Sequence, residues 1–165
     1  MKSKASKGIA GVMLSIMLGF FTASAYAADF CSDINRLIQA APGNFSTIIV
    51  KSDERLKGRD ITLIIEGASE CTVRQMIRSK SYGCTWTFQL GDPRAYARFD
   101  ALGQAVQRCI GDRGTLNQDQ NVNHPDFYDS RIFLLDTAKV SVSVKDKSAL
   151  ESTFVFLFVE PRTKT

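Results

Sequence analysis

The clearest pattern in the chain runs over residues 84–90, where Cys84, Trp86, Phe88 and Leu90 alternate with Thr85, Thr87 and Gln89. A period of two places the apolar set on one face of a strand and the polar set on the other. Residues 139–145 repeat it with Val140, Val142 and Val144, and residues 131–135 form a shorter apolar segment before them. In residues 153–159 every position from Phe154 to Val159 is apolar, which predicts a central strand buried on both faces. Earlier, residues 45–50 and 61–66 are rich in β-branched side chains and flank a charged turn over 52–59, so two further strands are expected there. Residues 71–78 place Cys71, Val73, Gln75 and Ile77 on one side, with a turn expected over 79–83.

Two segments carry the helical period instead. Ser32 can cap a helix with Asp33 in its first turn, after which Ile34, Leu37, Ile38 and Ala41 recur at spacings of three and four until Pro42-Gly43. Asp92-Pro93 opens a second helix carrying Ala95, Phe99, Leu102, Val106 and Cys109 and ending near Gly111. Residues 111–130 are polar almost throughout and read as one long loop, of the kind that in a compact domain commonly serves recognition. The pattern predicts an α+β fold: a mainly antiparallel sheet of five to six strands with two helices packed on one face, in the order α-β-β-β(-β)-α-long loop-β-β(-β).

The first residues change the picture of where the chain works. Lys2, Lys4 and Lys7 precede an uncharged apolar run over 9–21, and Ala25-Tyr26-Ala27 supplies the small residues a signal peptidase accepts. The run is shorter than the ~20 residues that cross a bilayer. A signal peptide over residues 1–27 is therefore expected, followed by a single disulfide-bonded domain over 28–165 with no membrane span after cleavage. The expected destination is the bacterial periplasm, or alternatively the medium as a soluble secreted protein. Three of the 21 basic residues and none of the 17 acidic ones lie in the leader, so the formal charge falls from +4 to +1 on its removal. A mature charge near zero gives no basis for a nucleic-acid partner. Local basic residues Lys51, Arg55, Lys57 and Arg59 read as a solvated turn.

Four cysteines, Cys31, Cys71, Cys84 and Cys109, follow the leader. An even number in an exported chain reads as two disulfides, and their wide, irregular spacing does not match the close ligand pairs of a zinc site. Four cysteines allow three pairings; Cys84 with Cys109 and Cys31 with Cys71 are expected, each tying a helix to the sheet. No C-x-x-C dithiol is present for redox catalysis.

Candidate chemistry is sparse. His124, the single histidine, stands near Asp126 and Asp129, which could orient an imidazole for acid-base work, but no nucleophile or metal motif accompanies it. The oxygen side chains of Asp119, Asn121 and Asn123 resemble the opening of a calcium loop, yet His124 stands where that loop requires Gly and Ser130 where it requires Glu. No metal and no cofactor are expected. Trp86, sharing its face with Phe88 and Leu90, is expected in the core rather than on a stacking surface with Tyr82 and Tyr96. These absences point to a non-catalytic protein- or peptide-binding domain with an envelope or secreted partner. Its contacts would come from Asp119, Asn121, Asn123, His124, Asp126 and Tyr128 in the long loop. The alternatives are an inhibitor or immunity protein against a cell-wall hydrolase, a hydrolase using His124, and a structural envelope component. Amino-terminal sequencing of the protein recovered from an expressing bacterium should begin at Ala28; a chain retaining Met1 would overturn the leader.

Overall fold

The computed structural model describes residues 22–49, 61–119 and 126–162. Its elements are α1 (Thr22–Ala40), β1 (Glu70–Gln75), β2 (Lys80–Gln89), α2 (Pro93–Ile110), β3 (Thr115–Asp119), β4 (Tyr128–Leu134), β5 (Ala138–Lys147) and β6 (Ser152–Pro161). The strands form one antiparallel sheet of six in the order β1-β2-β6-β5-β4-β3, an α+β fold as the pattern predicts.

Strand β6 lies in the middle of this sheet. Its inward residues Val155, Leu157 and Val159 stand opposite Trp86, Cys84 and Tyr82 of β2 and opposite Val144, Val142 and Val140 of β5. All nine are buried. Helix α2 packs its Ala95, Phe99, Leu102, Val106 and Ile110 stripe into this core, and α1 lies alongside α2. The N-terminus of α2 forms as expected: the Asp92 carboxylate accepts from the Arg94 backbone N–H at 2.9 Å, with Pro93 in the first turn.

The structure corrects several local expectations. Helix α1 is already formed at Thr22, so Ser32 lies inside the helix rather than capping it; the alanine-rich stretch before Ser32 favours continued helix. The segments over 45–50 and 61–66 do not form a strand pair. Asn44 and Phe45 both adopt positive φ, 52° and 61°, which turns the chain at once and drops the Phe45 ring into the core, 6.3 Å from that of Tyr82. A single bridge, Ile49 to Ile61, remains of the expected pairing, and the Leu63 carbonyl accepts the Tyr82 hydroxyl at 3.2 Å. The basic residues over 51–59 lie outside the described residues.

The hairpin between β1 and β2 turns earlier than the pattern indicates. Gln75 stands opposite Lys80, and the four-residue loop between them is closed by the Met76 N–H donating to the Ser79 carbonyl at 2.8 Å. The expected long loop over 111–130 also contains structure. Thr115 to Asp119 pairs with β4 as the outermost strand, with Thr115 opposite Leu134 and Asp119 opposite Ser130. Its exposed polar side chains suit an edge strand and erase the hydrophobic signal.

The disulfides are Cys71–Cys84 and Cys31–Cys109, which replaces the expected pairing of Cys84 with Cys109 and Cys31 with Cys71. The register explains the difference. Cys71 and Cys84 face each other across the β1–β2 ladder with Cα atoms 4.1 Å apart, the close spacing of a non-hydrogen-bonded antiparallel pair. Cys109, in the last turn of α2, meets α1 and bonds Cys31. Chain entropy makes the closure spanning 78 residues the larger contributor, about 4.5 kcal/mol against about 3 kcal/mol for the closure spanning 13. Urea unfolding of C31A/C109A should therefore show a greater stability loss than C71A/C84A; the reverse order would mean that packing at Cys84 outweighs loop closure.

Candidate functional site

The residues singled out in the sequence fall partly outside the described part of the chain. Among them His124, Asn121 and Asn123 lie outside the described residues, as does the Asp119 side chain. The Asp126 carboxylate accepts from the Ser148 hydroxyl at 2.5 Å and the Ser148 backbone N–H at 3.3 Å, so it fastens the start of β4 to the β5–β6 turn. Tyr128 and Asp129 are consecutive in β4 and so project to opposite faces of the sheet: Asp129 stands opposite Val144 on the helix side, Tyr128 opposite Lys145 on the other. Geometry thus gives Asp126 a structural bond and separates Asp129 from Tyr128. Among the described residues there is no cluster of three or more potential metal ligands, and no helix is long and apolar enough to cross a membrane.

Near the start of β4 a second polar network forms. The Tyr96 hydroxyl on α2 donates to the Asp146 carboxylate at 3.0 Å, and the Thr153 hydroxyl donates to the same carboxylate at 2.6 Å. Phe127, 51% exposed, sets its ring edge-on to Tyr96 at 5.4 Å. Burial, followed by the Asp146 carboxylate, raises the Tyr96 phenol above its ordinary range. Tyr82, buried in the core, is raised further, by burial first and then by Asp33.

The feature that pattern reading missed lies on the face of the sheet turned away from the helices. The outward positions of β6 are Phe154, Phe156 and Phe158, only partly covered. Their rings stack along the strand with centroids 5.9 and 5.7 Å apart and planes within 17° and 16° of parallel. Small side chains border them on both sides: Thr87, Thr85 and Gly83 on β2, and Ser143 and Ser141 on β5, with Lys145 opposite Phe154. At Gly83 the fit is close, since a Cβ there would come within 2.4 Å of the Phe158 ring. Glycine is required because the ring lies over its backbone. Lys145, at the Phe154 end, is held below the ordinary lysine range, by burial first and then by Lys147. Beyond the Phe158 end the β1–β2 hairpin projects, with Ile77 at its tip 100% exposed and Met76 beside it also exposed.

The run from Phe154 to Val159 contained the signal for this stripe, because consecutive apolar residues on a strand must occupy both faces. Whether the second face is covered depends on how many layers the rest of the chain supplies. The buried stripes of both described helices join the core on the other face.

Compared with known protein families and with curated proteins, the chain matches none.

The two raised phenols, Tyr82 buried and Tyr96 partly so, give a pH prediction. A phenol whose folded pKa is raised contributes stability that is fully present below the unfolded value near 10 and is lost as pH rises through the folded value. Ultraviolet titration should show Tyr82 and Tyr96 forming phenolate later than free tyrosine, with stability to urea falling above about pH 10. Titration of every tyrosine with a free-phenol midpoint would contradict the burial described.

Proposed function

We propose that the chain is an exported domain that binds a protein or peptide partner in the periplasm, or after secretion, and performs no chemistry of its own. The observation that carries this reading is the stacked stripe of Phe154, Phe156 and Phe158, only partly buried, on the face of the central strand turned away from the described helices. A half-covered antiparallel sheet ordinarily presents polar side chains to water. Here the middle of that face carries three phenylalanines set between rows of small residues, a ridge against which apolar side chains of a partner can pack.

The export part of the reading rests on the leader and the two disulfides. Cleavage after Ala27 would divide α1 and leave residues 28–40 as its mature portion, with Cys31 the fourth residue and bonded to α2. The bond to Cys109 retains the shortened helix against α2 whatever the helix loses at its N-terminus. Oxidation in the envelope suits this arrangement.

Pull-down from envelope extracts tests the reading directly. Phe154→Ser with Phe156→Ser removes two rings from the stripe without touching the buried face. The wild-type protein should retain a partner in high salt, and the double variant, checked by circular dichroism for an unchanged fold, should lose it. Equal retention by both proteins would overturn the assignment of the surface.

A further inference from the structure

A second feature lies on the opposite side of the sheet. Trp86 is 2% exposed, and its indole Nε1 is the single buried side-chain nitrogen or oxygen among the described residues without a hydrogen-bond partner. An indole N–H can only donate, and burying it unsatisfied costs about 1–3 kcal/mol. Trp86 forms one wall of a cleft of about 480 Å³ between β2 and the first half of α2, a volume in the range of small-molecule sites. Gly67, which also lines the cleft, closes over the buried Nε1: a Cβ built there would lie 3.7 Å from it. Gly67 has φ of +74°, and the same Cβ would come within 2.8 Å of the Arg98 guanidinium, so glycine is favoured both by the backbone angle and by the guanidinium lying against it.

The other groups at this point are also donors. Arg98 extends from α2 over the Trp86 ring, 5.5 Å from its centroid, and no ion pair with a carboxylate of the described residues engages it. The Ser69 oxygen accepts the Thr87 backbone N–H at 3.2 Å, which leaves its hydroxyl proton free to donate into the cleft. Arg94 differs, since its guanidinium is already paired with Asp92 at 2.6 Å. Around these donors Phe88, Ala97 and Ala101 supply apolar walls. A buried N–H without an acceptor, a guanidinium with no carboxylate partner among the described residues and a hydroxyl beside them are together suited to an anionic acceptor.

We infer that the cleft between β2 and α2 binds the carboxylate of a ligand with an apolar body, one oxygen accepting from Trp86 Nε1–H and the other from Arg98. Two acceptor oxygens on one carbon match an indole donor and a guanidinium fork held on the same side of Gly67. The apolar portion then lies against Phe88 and the alanines of α2. Arg98, which stacks on the indole when the site is empty, swings outward to admit the oxygen. This site is separate from the phenylalanine stripe, and either can stand without the other.

Trp86 is the chain's single tryptophan, so its indole N–H gives one cross-peak in a ¹H–¹⁵N spectrum and reports on the cleft without labelling chemistry. The purified, disulfide-bonded protein should be titrated with N-acetyl-alanyl-leucine, with the C-terminal amide of the same peptide, and with inorganic phosphate. Saturable downfield movement of the indole proton with the free carboxylate and none with the amide is expected. Arg98→Gln should weaken that binding at least tenfold while the rest of the spectrum stays folded. No movement with the carboxylate, equal movement with the amide, or saturation by phosphate alone would each overturn the assignment. An unchanged affinity in Arg98→Gln would overturn the role given to the guanidinium.

Discussion

The architecture depends on one strand that is apolar on both sides. Strand β6 supplies Val155, Leu157 and Val159 to the core and Phe154, Phe156 and Phe158 to the other face, and it is hydrogen-bonded to a neighbour along both edges. Everything else is arranged about it. Strands β2 and β5 match its inward face with buried residues and its outward face, apart from Lys145 opposite Phe154, with small ones, so the phenylalanine rings have room to lie across the sheet. Gly83 is the sharpest case, since no other residue leaves space for Phe158. The core and the partly buried aromatic stripe are therefore two consequences of the same six-residue run.

The α2 region was the most legible part of the sequence, because each of its signals is local. Asp92 caps, Pro93 starts, the apolar stripe recurs at three and four, and Gly111 ends the helix with a positive φ of 57°. Strands β2 and β5 were legible because apolar residues alternate along them with polar or small ones. Strand β3 was hidden for the opposite reason: an edge strand with exposed side chains on both faces has the composition of a loop, and only its register with β4 reveals it. Residues 45–50 failed in the other direction. Their β-branched content is real, but Asn44 and Phe45 reverse the chain before a ladder can form, and that depends on Phe45 having a cavity beside Tyr82.

The disulfides show how a small error of register propagates. With the hairpin turn taken over 79–83, Cys71 and Cys84 cannot face each other; with it at Met76 to Ser79 they are directly opposed. The position of that turn was not marked by glycine or proline, the usual punctuation. The candidate sites were less legible still. The stripe requires knowing that the second face of the sheet has no described helix on it. The unpartnered indole of Trp86 requires knowing that Gly67 and Arg98, distant in sequence from each other, meet at its nitrogen.

The strand order carries a consequence for when the sheet can close during synthesis. Neighbours β3, β4, β5 and β6 follow one another in sequence, as do β1 and β2, but the seam joining these two sets is the pairing of β2 with β6. The strand that completes the middle of the sheet is thus the last of the six to be synthesised. Until it arrives, the earlier hairpin has no partner along its inner edge, and the long-range closure that makes the domain rigid is postponed.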